Sequence, residues 1–109
     1  MLGVTVGTFK SADGVLPRGA VVTKVNDGSN AQRGGIQTGD IIVEINGTVI
    51  AGASELGSCI QSCEENVELR VRVYRVPGMD QAITDDYIDL SKVDVDQGEY
   101  LDLTVVLRK

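Results

Sequence analysis

Three features of the sequence predict a small α+β domain, with five or six strands curling into a partly open barrel or sandwich and one short and one longer helix. Apolar residues alternate with polar ones in several short runs, the pattern of strands buried on one face. A separate stretch repeats its apolar residues at spacings of three and four, as a helix does. Thirteen glycines against two prolines supply tight turns between these elements, and no fixed spacing recurs, which excludes a solenoid.

Val4-Thr5-Val6-Gly7-Thr8-Phe9 has period-two alternation and predicts a first strand over 4–9. Turn signals at Gly14 and Pro17-Arg18-Gly19 lead into the β-branched run Ala20 to Val25, a second strand that stops at Asn26-Asp27-Gly28. Ser29 then heads Asn30 to Arg33, one helical turn capped by its hydroxyl and stopped by Gly34 and Gly35. Asp40 to Ile45 is a strongly apolar strand, and Asn46-Gly47 supplies the positive φ of a tight hairpin into Thr48-Val49-Ile50. From Ala53 to Cys63, the residues Leu56, Cys59, Ile60 and Cys63 share one helical face, with Ser54 and Glu55 suited to the first turn. Val67, Leu69, Val71 and Val73 alternate with Glu68, Arg70, Arg72 and Tyr74, and Leu101, Leu103, Val105 and Leu107 alternate similarly near the C-terminus.

The length of 109 residues suits a single domain over 1–109 with a modest core. No run approaches the roughly 18 to 20 apolar residues of a membrane helix, and the N-terminus lacks the basic and apolar regions of a signal peptide. A soluble chain without direct membrane insertion is expected. The absence of histidine removes the Ser/His/Asp triad, the Cys/His dyad and every His-ligated zinc site. Ser11, Ser29, Ser54, Ser58, Ser62 and Ser91 therefore lack a histidine base, and Lys10, Lys24 and Lys92 fall at strand ends or in polar segments that offer no activation. The chain itself is expected to be no enzyme and to hold no cofactor.

A net charge of −6 gives no field that attracts phosphate backbones, so nucleic acid is not an expected partner. The acidity is concentrated: residues 76–102 carry eight acidic residues against Lys92 alone, while the remainder is nearly neutral. Residues 76–99 thus read as an acidic insertion between the last two strands. An elongated hairpin or ordered loop is expected there, anchored by Tyr87, Ile88, Leu90, Val93 and Val95, which either touches a partner domain or acts as a solubilising arm.

Gly19-Ala20-Val21-Val22, the Gly-x-x-x-Gly-Asp-Ile-Ile-x-x-Ile-Asn-Gly pattern from Gly35 to Gly47, and the helix followed by the Arg/Val strand together resemble a PDZ domain of the bacterial type. The resemblance covers residues 2–75 and 100–108. Physically, Gly35 and Gly39 admit loop geometry closed to bulkier residues, and Asp40 is placed to satisfy backbone donors at the strand entrance. Here Leu2-Gly3-Val4 opens the chain and Leu101 to Leu107 supplies the strand that comes first in eukaryotic members. That circularly permuted order resembles the PDZ domains of HtrA-type, trypsin-like serine proteases. Similar order occurs in C-terminal-processing proteases, intramembrane metalloproteases and secretion proteins, which are the alternative hosts.

The resemblance implies a peptide added as an extra strand between Val4–Phe9 and the longer helix. The backbone N–H groups of Leu2, Gly3 and Val4 would converge on its terminal carboxylate, a backbone nest that an acidic protein can still offer an anion. Thr5 lies on the same edge. Ala53, Gly57 and Ile60 would face the groove with Leu56 at its base, and Ile60, Leu2, Val4 and Val6 would form the pocket for an apolar last residue. Ala53 stands where some eukaryotic members have a histidine, so selection of Ser or Thr two residues upstream is not implied. Implied partners are C-terminal or unfolded peptide segments and an attached protease domain, in an extracytoplasmic location. A structural module whose groove is filled by residues 76–99 or by a neighbouring domain, serving assembly rather than substrate capture, is the rival reading.

Two further constellations stand apart from the groove. Cys59 and Cys63 are four apart on the helix and read as buried small hydrophobes, with a redox switch or a metal site as the alternative. Asp94-Val95-Asp96-Gln97-Gly98 begins like a calcium loop, but Val105 occupies the twelfth position, where an EF-hand needs a bidentate Glu, so no metal is expected.

Overall fold

The computed structural model describes residues 2–7, 16–63, 66–84 and 87–107. Its elements are β1 (Val4–Gly7), β2 (Ala20–Val25), α1 (Asn30–Gly34), β3 (Ile41–Ile45), β4 (Thr48–Val49), α2 (Ala53–Ser62), β5 (Glu68–Arg75), α3 (Met79–Ala82), 3₁₀ turns at Leu90–Lys92 and Val95–Gln97, and β6 (Glu99–Val106). All strand pairs are antiparallel, in the order β1-β2-β3-β5-β6, with β4 paired to β3. The α+β architecture expected from alternation and turn spacing is the one found. Thr8 and Phe9 of the first expected strand lie outside the described residues.

Neighbouring residues in the central strands face opposite ways, and this gives the sheet two cores. Ala20, Val22, Ile42, Ile45, Leu69, Val71, Val73 and Val105 join one cluster with Ile50 and with Leu56 of α2. Val21, Ile41 and Val43 point the other way, into a second cluster with Leu16, Val76, Met79, Ala82 and Ile88. Each fully buried aliphatic side chain contributes roughly 1.5–3 kcal/mol, so both faces are strongly held. Val67 departs from the expected pattern: it precedes β5 and is exposed.

Local chemistry sets the boundaries. The Ser29 hydroxyl accepts from Gln32 N at 3.1 Å and caps α1, and Gly35 ends it at φ +95°. Gly34 is fixed by packing, because a Cβ there would lie 2.5 Å from Val105 Cγ2 and 2.9 Å from the Thr104 carbonyl. Asn46 (φ 51°) and Gly47 (φ 82°) form the expected hairpin turn, and Asn46 Oδ1 also accepts from Arg70 N at 2.9 Å.

The acidic segment is an ordered connection rather than an elongated hairpin. It contains the helical turn α3, one antiparallel bridge between Ile83 and Ile88, and the two 3₁₀ turns. Ile88 is buried, and Leu90 and Val93 pack against the second cluster, as their apolar character requires. Tyr87, expected as an anchor, is 51% exposed. Met79 and Ala82 take the anchoring role instead, since one helical turn brings both onto the sheet. The side chain of Val95 is outside the described set.

Candidate functional site

The strand β1 ends the sheet order, so one of its two edges is unpaired within the sheet. Asn26 N donates to Gly3 O at 3.0 Å, and Val4 sits opposite Val25. Val22 uses its N–H on Asp40 O (2.8 Å) and its carbonyl on Gly39 N (2.8 Å), both toward β3, while it faces Val6 across the other side. In an antiparallel ladder, residues between bonded pairs aim their main-chain groups away from the partner. The N–H and C=O groups of Val4 and Val6 therefore point to the free edge. A register shift between Thr5 and Val6 leaves Thr23 as the extra residue, whose hydroxyl donates to Thr5 O at 3.1 Å.

Leu2, Val4, Val6, Leu56 and Ile60 all belong to or pack against one apolar cluster, so β1 and α2 share one core. Leu2 and Leu56 are buried within it. Val4, Val6 and Ile60 are half-buried. Thr5 is exposed on the opposite face of the strand, and Ala53 is half-buried at the start of α2. Gly57 is exposed, and a Cβ there would meet no atom within 4 Å.

Immediately before β1, Gly3 has φ +90°, and a Cβ there would lie 2.3 Å from Ser29 Cβ. The carbonyls of Leu2 and Gly3 accept from Ala31 N and Asn26 N, both at 3.0 Å. These bonds tether the segment to α1 through Ala31 and to the end of β2 through Asn26, while the N–H groups of Leu2 and Gly3 donate to none of the described residues. Ser29, which both caps α1 and crowds Gly3, was not legible as part of the site from sequence.

Away from the cleft, Asp40 is buried and receives two 2.7 Å bonds from Arg75, one from Nε and one from Nη2, and a third bond from Gln37 N at 2.9 Å. The expected role of Asp40 at the strand entrance is thus met through Gln37, and Arg75 is the partner sequence reasoning missed. The hydrogen bonds to Asp40 hold the Arg75 guanidinium charged even more firmly than usual. At Asp89, bonds from the Ser91 hydroxyl and N–H lower the carboxyl from its ordinary value.

Burial, then the adjoining Cys63, push the Cys59 thiol up. A raised thiol stabilises the fold fully below the unfolded-state value, and that contribution is lost as pH rises through the higher folded-state value. Alkylation of folded Cys59 at neutral pH is expected to be slower than in the urea-unfolded chain, because only the thiolate reacts. Peptide-resolved iodoacetamide labelling checks this, and equal rates in the two states would refute it.

A family model described as "PDZ domain" matches residues 21–73. Over 94% of this chain and 86% of the other, the fold matches the HtrA3 PDZ domain crystallised with a phage-derived ligand (FGRWV), with TM-score 0.59 and 28% identity. The chain has the PDZ fold, and its residues 21–73 match the PDZ family. Among curated proteins, this PDZ domain is 46% identical over 54 residues to the serine protease HTRA3 of Mus musculus. It is 39% identical over 59 residues to a probable periplasmic serine endoprotease, DegP-like, of Hahella chejuensis (strain KCTC 2396). These alignments take in 50% and 54% of the PDZ chain, but 12% and 13% of the relatives. The chain therefore spans about an eighth of the curated proteins it matches, and it is a PDZ domain rather than a catalytic one.

Proposed function

We propose that this PDZ domain binds the C-termini or extended segments of other polypeptides by strand addition to β1, as a substrate-binding or regulatory module of an HtrA-type serine protease. The observation that carries the reading is the outward aim of the Val4 and Val6 main-chain groups beside the apolar core that β1 shares with Leu56 and Ile60 of α2. An incoming strand would pair with those groups, and its last side chain would enter the space bounded by Leu2, Val4, Val6 and Ile60. Leu2, Gly3 and Val4 N–H groups would hold the terminal carboxylate. Thr5 would flank the added strand on the outer face, and Ala53 and Gly57 would leave the helix wall open to bulky side chains.

The placement of residues 76–99 favours this reading over a self-filled groove. Their apolar anchors join the cluster on one face of the sheet, whereas Val4 and Val6 pack against the cluster on the other. The names of the relatives further support an attached protease domain and an extracytoplasmic location.

Fluorescence polarisation with pairs of peptides ending in Val, Leu, Ile or Ala, as free acids and as amides, tests the proposal. Free acids are expected to bind on the order of micromolar, about −8 kcal/mol, because a short peptide must be ordered on docking. Amidation is expected to weaken binding at least tenfold. Equal binding of acid and amide would remove the carboxylate role, and no binding by the folded domain would remove the groove reading.

A further inference from the structure

Cys59 and Cys63 lie beside the cleft but have no part in strand addition. Cys59 is in the last turn of α2, and Cys63 is the first residue beyond it, with φ −84° and ψ 141°. Leaving helical geometry matters, because paired cysteines inside a regular helix aim their sulfurs poorly for a bond, whereas a cap residue is free to turn. Four residues of helix separate Cα atoms by about 6 Å, within the range that a disulfide spans. The Cys63 side chain is already folded back: its S–H donates to the Cys59 carbonyl at 3.1 Å.

The hydrogen bonding of this turn tolerates loss of that S–H. Cys63 N donates to Ile60 O at 3.1 Å, so the Cys59 carbonyl is left to side chains. Ser62 Oγ also donates to it, at 2.8 Å, and would keep it satisfied. Cys63 is only half-buried, and Cys59 lines an open 450 Å³ cleft between β4 and α2, bordered by Val49, Ser58 and Ser62, so neither thiol is sealed from a small reagent. Ile60, the proposed pocket wall, falls between the two cysteines and packs against the same core cluster as both.

We propose that Cys59 and Cys63 are a redox-responsive pair, oxidised by a low-molecular-weight disulfide to a Cys59–Cys63 bond that weakens peptide binding by moving Ile60. The coupling to binding rests on the strand-addition reading above, whereas bond formation does not. The Cys63 thiolate attacks one sulfur of glutathione disulfide, forming a mixed disulfide and releasing one glutathione thiolate. Cys59 then loses its proton and attacks the Cys63 sulfur, expelling the second glutathione. The two cysteines give up two electrons and two protons in total, and the glutathione disulfide takes them. Cys59, with its raised thiol, suits the second step, where proximity offsets a small thiolate fraction. A disulfide needs Cβ atoms about 3.8 Å apart, closer than the roughly 5–6 Å of a helical i, i+4 pair. Closure therefore tightens the last turn and rotates Ile60.

The test treats the reduced domain with glutathione disulfide, then reads intact mass, free thiols and affinity for an apolar free-acid peptide. The expected product has lost two hydrogens and both thiols, carries no glutathione, and binds at least about fivefold more weakly, with full recovery on reduction. Cys63→Ser should take glutathione on Cys59 alone or remain unmodified, form no internal bond and keep its affinity. Stable adducts on both cysteines, or no reaction, would overturn the pairing. An internal disulfide with unchanged affinity would overturn the coupling. Failure of the reduced domain to bind any peptide would refute the strand-addition reading, and the coupling with it, while the mass would still decide whether the bond forms.

Discussion

Arg75→Met is expected to destabilise the domain by about 3 kcal/mol, the cost of leaving a buried carboxylate without its charged partner. Asp40 is 1% exposed and its two strongest bonds both come from Arg75. Arg75 Nη2 also donates to Gly35 O at 2.9 Å, so the substitution releases both ends of the 35–40 loop from β5. Set against a total of roughly 5–15 kcal/mol for a domain of ordinary stability, the loss is large. Urea unfolding should show a lower midpoint with an unchanged slope. Peptide affinity of the protein that remains folded should be unaltered, because this bridge lies away from β1 and α2. A loss below about 1 kcal/mol would mean that the pair is screened like a surface ion pair.

Gly3→Ala is expected to lower peptide affinity at least tenfold and to cost the fold about 2 kcal/mol, by two separate routes. The first is conformational, since φ +90° is unfavourable for any residue with a Cβ. The second is the 2.3 Å approach of that Cβ to Ser29 Cβ. Relief of the clash would displace either the loop that presents the Leu2, Gly3 and Val4 amides or the serine that caps α1. Adding Ser29→Gly removes the opposing Cβ, and glycine is itself a tolerable cap, so the double variant should recover part of the affinity and stability. Polarisation titrations with a free-acid peptide, alongside thermal unfolding, separate the routes. Wild-type affinity in Gly3→Ala would show that this loop does not hold the carboxylate.

β5 was legible because it buries one face, so alternation survives in the sequence: Leu69, Val71 and Val73 are all fully buried as expected. The cap at Ser29 and the turn at Asn46-Gly47 were legible because their residue types match local geometry. The groove was legible only through resemblance, since nothing in the side-chain pattern of Val4 to Gly7 says that one edge of the strand is left unpaired. Arg75 escaped notice because its partner is 35 residues away, and a strand alternation shows which face a residue takes but not whom it meets. The acidic segment was legible as an ordered, anchored connection but not in its detail, for a related reason. Its apolar residues were visible, but the single turn that brings Met79 and Ala82 onto the sheet is too short to leave a periodic trace.

A sheet with a core on each face acts as a party wall. Residues 76–99 furnish one room and the cleft between β1 and α2 furnishes the other, with β2 and β3 contributing alternate side chains to each. Length and charge in the acidic segment can therefore drift in evolution, or be exchanged by design, without redrawing the proposed peptide cleft. The same partition confines the other kind of change: a substitution at Val21 or Ile41 is felt by the acidic segment, and one at Val22 or Ile42, a single residue along, is felt by the cleft.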